Sequence, residues 1–412
     1  MRFVVSLAEQ GFGSILTFAI NLWLIRNGAA ESYGVYVFWL SVAWVLGTAQ
    51  GTLVLAHLYR LPSAHDRMEE RRQPERLLLS FAIGITIASA LIVTLVDAAL
   101  AYMGSELASP GAVMFIPAFL LFQYTRSFAF SRQRPLLAAC LTGTVLSTAI
   151  ILLGGDFLLG FHPDAERVLF LTAGAYGGCA LVILLILLNG MRPMLGWVEI
   201  RGYVTVLRGS GWLALGAGSG EVTSRLYSFV VVGRYGTSDL AALSAVQVVI
   251  RPAWMLSAAW SSIGYPQMAA RFAEGDRAGF LRVMLTGATL STAGSFLWSA
   301  LVLAGWPWIS GELYHGRYQE VGPLVYFWGA NVMLGSIALA LNVAILVMGE
   351  FKNLALIDLV GAIVTTGAIF GLMGRFDYPY AVVATMMGQT TQIVLMAALL
   401  QRRLRQPAAL PA

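Results

Sequence analysis

The sequence predicts an all-α integral membrane protein of about twelve spans, arranged as two six-helix bundles. Three observations carry this. The chain of 412 residues is 58% hydrophobic and only 11% charged, whereas a soluble domain is nearer a quarter charged. Apolar runs long enough to span recur from end to end. The runs also fall into two halves with the same layout. Lipid satisfies no backbone N–H or C=O, so runs of this length are expected to be helices.

The first span is read over 3–25. Arg2 precedes it, but Glu9 interrupts the apolar stretch, which then continues to Ile25. A segment of this length is expected to stay in the membrane rather than be cleaved. A turn over 26–32 leads to span 2, 33–58. The polar loop 59–76 holds five arginines. Span 3 is 77–103, and the 104–111 loop has no basic residue. Span 4, 112–130, ends at Ser131-Arg-Gln-Arg-Pro135. Span 5 is 136–160, and after a short loop, 161–167, span 6 is 168–189. The linker 190–210 mixes Trp197, Tyr203 and Val204 with Arg192, Glu199, Arg201 and Arg208. That mixture fits an amphipathic helix at the interface and equally a plain connector.

The second half repeats the layout. Span 7 is 211–232, span 8 is 240–263, and a loop over 266–282 carries Arg271, Arg277 and Arg282. Span 9 is 283–304, the long loop 305–322 follows, and span 10 is 323–348. After a turn at 349–353, spans 11 and 12 are 354–373 and 378–400. The expected units are thus an N-terminal bundle at 1–189, a cytoplasmic linker at 190–210, a C-terminal bundle at 211–400 and a cytoplasmic tail at 401–412.

Basic residues set the orientation. Eighteen of the 26 Lys and Arg residues fall before span 1, after the even-numbered spans or in the tail. Five fall after the odd-numbered spans: Arg26, Arg167, Arg234, Arg317 and Arg375. The positive-inside rule then places both termini in the cytoplasm. A net charge of +5 suits an anionic inner leaflet and needs no nucleic-acid partner. Cys140 and Cys179 both fall inside predicted helices and read as packed thiols. No metal site and no cofactor is expected.

An internal repeat supports the two halves. Arg26-Asn-Gly-Ala-Ala-Glu31 matches Arg234-Tyr-Gly-Thr-Ser-Asp239 at an offset of 208 residues. The same offset carries span 2 onto span 8. Six is even, so both halves enter from the same side and are expected to be related by an axis along the membrane normal. Two such bundles predict a V shape around a central cavity, opened alternately to each side by rocking.

Polar residues cluster in the first two spans of each half: Glu9, Asn21, Gln50 and His57, then Glu221, Arg225, Gln247 and Arg251. One charge at the centre of a membrane helix costs about 2.5–3.5 kcal/mol on insertion scales. Glu221, Arg225 and Arg251 together would cost on the order of 8–10 kcal/mol before pairing or hydration. These helices are therefore expected to line a hydrated interior, with Asn21, Gln50 and Gln247 as neutral lining. Glu221 and Arg225 are spaced i, i+4 in the favourable order and also fit simple mutual neutralisation. Glu9 and Glu221 are candidates for proton or sodium coupling, or for charge pairing. Arg126, near the end of span 4, reads as snorkelling, and Asp97, Asp156 and Asp358 as interfacial. Trp39, Trp44, Trp254 and Trp260 read as packing or interface residues before sugar-stacking ones.

The short turn into Glu31-Ser-Tyr-Gly-Val-Tyr36, the Pro266-Gln-Met-Ala-Ala-Arg271 segment, the Leu313-Tyr-His-Gly-Arg-Tyr318 segment and the twelve-span layout resemble the oligosaccharide flippases. These are polysaccharide transporters, including O-antigen flippases, of the multidrug/oligosaccharidyl-lipid/polysaccharide superfamily. The resemblance covers the whole chain through short, loose motifs. It implies export of undecaprenyl-pyrophosphate-linked oligosaccharide across a bacterial inner membrane, for surface polysaccharides such as lipopolysaccharide or exopolysaccharide. It also implies a cationic cavity and partners among membrane lipids and other polysaccharide-assembly proteins.

Under that implication Arg251 and Arg225 would hold the anionic headgroup, since guanidinium donors match phosphate oxygens. A cation-coupled multidrug exporter of the same superfamily is the alternative, and its site would favour acids and aromatics. A membrane polymerase is the enzymatic alternative. The longest outer loop, 305–322, holds Glu312 and Glu320 but no close acidic pair, and no nucleophile–base set or phosphate loop is evident, so no catalytic residue is expected.

Overall fold

The computed structural model describes residues 2–59, 61, 68–194, 196, 201, 203 and 211–405, without the side chains at 2–4, 6–8 and 68–70. The described residues form helices joined by turns and short irregular segments, with no strand among them, and divide into two compact units, Met1–Ala214 and Leu215–Ala412.

The first unit holds α1 Arg2–Asn27, α2 Ala30–Gln50, α3 Met68–Tyr102, α4 Pro110–Ser131, α5 Pro135–Leu158 and α6 Ala165–Leu188. α2 runs on through a π-helical turn, Gly51–Leu55, into Ala56–Leu58. Within the unit α4 packs along α6, α1 along α5, and α3 against α4. Pro110 and Pro135 open α4 and α5 at first-turn positions, where the missing N–H has no intrahelical partner to lose. The turn between α1 and α2 is tight at Gly28. A Cβ there would lie 2.8 Å from the Leu24 carbonyl oxygen and 3.2 Å from that of Pro163.

The second unit takes in most of α7 Gly211–Tyr235, then α8 Thr237–Ile250, α9 Pro252–Ala273, α10 Arg277–Ala304, α11 Leu324–Val347, α12 Phe351–Leu372 and α13 Tyr380–Arg405. α9 packs on α10, α10 and α13 on α11, and α12 on α13. Gly216 brings α7 against α12, 3.5 Å from Ala355 and the Asp358 carboxylate measured from where its Cβ would sit. The Tyr235 hydroxyl reaches the Met373 and Phe376 carbonyls at 2.9 and 2.6 Å.

Among the described residues nine helices are long and apolar enough to cross a membrane, and α8 with α9 makes a tenth as one bent span. The other two expected spans are α1 and α7, 26 and 25 residues long. In α7 the charges of Glu221, Arg225 and Arg234 and several glycines dilute the apolar run.

Three local expectations need correction. The loop expected at 59–76 is in part helix: α3 begins at Met68 and carries Arg71, Arg72 and Arg76, with Pro74 inside its first turns. The loop expected from 266 is helix as far as Ala273, with Pro266 accommodated inside α9. Span 8 is not continuous. α8 ends at Ile250 and α9 begins at Pro252, with a 50° bend between them. Proline removes a helical hydrogen bond and its ring crowds the preceding turn, which is the physical cause of the break. The linker expectation falls mostly outside the described residues. Within it, Tyr203 is buried and stacks on Phe81 with ring centroids 4.0 Å apart.

Candidate functional site

In the first unit the embedded charge is paired. Glu9 of α1 is 2% exposed. It accepts from Arg126 Nε at 2.6 Å and Nη2 at 2.8 Å, and from Thr142 Oγ1 at 2.8 Å. A bidentate guanidinium–carboxylate pair is the strong form of a charged hydrogen bond, and here it ties α1 to α4 and α5. Arg126 is therefore a partner of Glu9, not a snorkelling residue. Helix geometry and spacing gave no hint of this, since the pair lies 117 residues apart in sequence.

Asn21 is buried. Its amide donates to the Thr17 carbonyl at 2.6 Å and accepts from the Tyr33 hydroxyl at 2.9 Å, pinning α1 to α2. Gln50 is 0% exposed, and neither amide atom has a hydrogen-bond partner among the described residues. It is the last α-helical residue before the π-helical turn of α2. Interruptions of this kind recur at functional positions.

In the second unit Glu221 and Arg225 form the i, i+4 pair expected of them, at 2.7 Å. Arg251 occupies the break between α8 and α9, exposed, with its backbone N–H bonded to the Gln247 carbonyl at 2.9 Å. Gln247 in turn accepts from the Tyr227 hydroxyl at 3.2 Å. The Tyr227 phenol thus joins α7 to α8 through Gln247, one turn before Arg251, and packs edge-on to Trp328 at 5.5 Å. Tyr227 does not stand out in the sequence. Its position in α7, two residues past Arg225 in a helix already marked as polar, was the available signal.

The break adds a second feature. α9 starts at Pro252, so its first-turn N–H groups and the positive end of its dipole begin beside Arg251. Broken spans whose half-helix N-termini face anions are a recurring transporter device. Both second helices are interrupted, α2 after Gln50 and the α8–α9 span at Arg251. In each the embedded polar residue stands at the interruption.

Other polar contacts lie deeper in the second unit. Ser257, Ser295 and Ser336 join α9, α10 and α11 at 2.8 and 3.2 Å. Asp358 accepts from Gln392 Nε2 at 3.2 Å and faces Gly216. It stands two turns inside α12, which an interfacial reading did not anticipate. The tryptophans act in packing: Trp39 is fully buried and donates to the Leu107 carbonyl at 2.9 Å. Trp44 packs edge-on to Phe119, and Trp254 and Trp260 sit against Gly335 and Gly287.

With this geometry in view, comparison with solved structures identifies the architecture. An inward-facing multidrug resistance MATE family transporter of the MOP superfamily superposes with a TM-score of 0.71 at 13% identity, over 97% of this chain and 98% of the other. The lipid II flippase MurJ, in an inward closed conformation, gives a TM-score of 0.71 at 11% identity, over 97% of this chain and 87% of the other. A MOP superfamily transporter from Pyrococcus furiosus, described as having a binding pocket of reversed polarity, gives 0.62 at 12% identity, over 98% and 95%. No family model and no curated protein matches the sequence. At these identities the likeness establishes the fold: a multi-pass, all-α membrane protein built like the MOP superfamily transporters, in two helical bundles.

Proposed function

We propose that the chain exports an undecaprenyl-pyrophosphate-linked oligosaccharide from the cytoplasmic to the outer leaflet of a bacterial inner membrane by alternating access. The observation that carries this reading is Arg251 at the break of the α8–α9 span, bonded through its backbone to Gln247, whose side chain holds Tyr227. A guanidinium at a half-helix N-terminus suits a pyrophosphate, which offers several oxygens to a planar donor. An inside-negative membrane favours outward movement of that anion by about 2.3 kcal/mol per charge per 100 mV. MurJ, which shares the fold, is a lipid II flippase. In this reading both termini and the linker 190–210 are cytoplasmic. Glu9 and Glu221 serve as charge partners of Arg126 and Arg225, which supports the pairing reading of the two acids over ion coupling.

A cation-coupled multidrug exporter is the second reading. The inward-facing MATE transporter superposes equally well. One carboxylate, Asp358, has an amide rather than a guanidinium as its hydrogen-bond partner, as a cation-binding acid would need.

The two separate in proteoliposomes holding the full chain. Flippase function predicts protein-dependent transfer of a labelled polyprenyl-pyrophosphate sugar between leaflets, without an ion gradient and weakened by Arg251→Ala. Gradient-driven movement of ethidium that Asp358→Asn abolishes, with no lipid transfer, would replace it.

A further inference from the structure

The first unit contains a second cationic feature, remote in sequence from Arg251. A cleft of about 560 Å³ opens where α3, the α4–α5 turn and the end of α6 meet, and Arg72, Arg76, Arg132, Arg134 and Arg192 line it. We propose that this cleft binds the phosphate headgroup of an anionic membrane phospholipid.

The walls are fixed before any ligand arrives. Arg132 Nη2 and Nε hold Glu75 at 2.6 and 3.2 Å, Nη1 donates to the Leu187 carbonyl at 2.5 Å, and the guanidinium lies 4.4 Å over the Phe128 ring. Glu75 is shared with the buried Arg71 at 2.6 Å, so one carboxylate stands between two guanidinium groups. Arg76 Nε donates to the Arg192 carbonyl at 2.9 Å, and Ser80 Oγ accepts from the Met194 N–H at 2.7 Å. These bonds pin the chain after α6 against α3. Asn189 and Gly190, both at positive φ, turn it back across the cleft.

Three arginines remain for a ligand. Arg72, Arg134 and Arg192 are exposed and make no side-chain ion pair or hydrogen bond among the described residues. Several arginines converging with no matching carboxylate among the described side chains repel one another, and an anion between them relieves this. Phosphate oxygens suit such a set, because each guanidinium can donate two parallel hydrogen bonds.

The cleft's apolar side selects the source of the phosphate. Ile186 and Leu188 line it. Ile186 ends a stripe of α6 with Leu181, Val182 and Leu185, each 50–61% exposed. The stripe offers an acyl chain a track along the helix, with the arginines at its end. Basic pockets between helix ends on the cytoplasmic side are suited to anionic headgroups. The arginine distribution assigns this end of the bundle to the cytoplasmic leaflet. The assignment needs a membrane-embedded bundle but not the flippase reading.

The test uses the purified full chain in detergent, with retention of dioleoylphosphatidylglycerol followed by native mass spectrometry and by phosphate analysis. Each surface arginine contributes about 1 kcal/mol, or roughly fivefold in affinity. Arg72→Gln, Arg134→Gln and Arg192→Gln together should weaken retention by roughly a hundredfold. The same number of charges removed elsewhere, as Arg282→Gln, Arg402→Gln and Arg405→Gln, should leave it within about twofold. Inorganic phosphate at millimolar concentration and phosphatidylcholine should compete poorly. Equal loss in both triple variants would overturn the site in favour of diffuse charge. Displacement by inorganic phosphate at the lipid's own potency would overturn the lipid assignment. If the triple variant fails to fold, Arg134→Gln alone should lose roughly fivefold, and unchanged retention would refute the proposal. The assay reads no transport, so its failure leaves the proposed function untouched, and the reverse holds.

Discussion

Removing the guanidinium from Glu9 should be among the most destabilising changes in the first unit. Glu9 is 2% exposed and takes two of its three hydrogen bonds from Arg126, at 2.6 and 2.8 Å. Among the described residues, Arg126→Ala leaves the carboxylate with Thr142 alone. Breaking a buried pair from one side costs about 3–5 kcal/mol, because the survivor stays desolvated and uncompensated. The reverse change should be milder. The Arg126 side chain is 29% exposed, so after Glu9→Gln it can turn toward water or headgroups, at about 1–2 kcal/mol. The double replacement Glu9→Gln/Arg126→Gln should recover most of the loss, since no charge is then stranded. For a unit of this size each kcal/mol moves the midpoint by about 2–4 °C, which predicts a drop of about 10 °C for Arg126→Ala. Thermal melting of the detergent-solubilised chain, followed by tryptophan fluorescence, measures all three variants. Equal losses for the two single changes, or a drop under about 2 °C for Arg126→Ala, would refute the asymmetry argument.

Four further outcomes follow from single positions. Pro252→Ala restores a helical N–H at the break and should reduce the 50° bend; spin-label distances across the α8–α9 span would report it, and an unchanged bend would discount proline as the cause. Gln50→Leu removes an amide that is fully buried and has no hydrogen-bond partner among the described residues, so it should stabilise the chain by about 1–3 kcal/mol while slowing transport; a lower melting temperature would contradict this. Gly111→Ala would drive a Cβ into the Glu166 carbonyl and should lower the melting temperature by several degrees, whereas Gly218 has open space around it, so Gly218→Leu should leave the melting temperature and membrane insertion intact.

The helix layout was legible because spans are long, apolar and separated by polar turns, and those signals are local. The repeated turn was legible as well. The 208-residue offset maps Asn27, the end of α1, onto Tyr235, the end of α7. The break at Arg251 was encoded in the next residue, Pro252, but Pro266 and Pro74 show why proline alone misleads: both lie inside continuous helix. Long-range pairing was not legible. Nothing within a few residues of Glu9 points to Arg126, because the partner is chosen by how α1, α4 and α5 pack. Tyr227 and Asp358 were missed for the same reason, since their partners Gln247 and Gln392 lie 20 and 34 residues away. The i, i+4 pair of Glu221 and Arg225 was readable because helix geometry alone sets it.

The central claim is outward transfer of a lipid-linked oligosaccharide held at Arg251. The direct measurement is the leaflet distribution of undecaprenyl-linked repeat units in a deletion strain complemented with wild-type, Arg251→Lys or Arg251→Ala protein. Accumulation in the cytoplasmic leaflet is expected without the protein, with full relief by wild type, partial relief by Arg251→Lys and little by Arg251→Ala. Normal surface polysaccharide in the deletion strain, accompanied by altered sensitivity to cationic drugs, would contradict it.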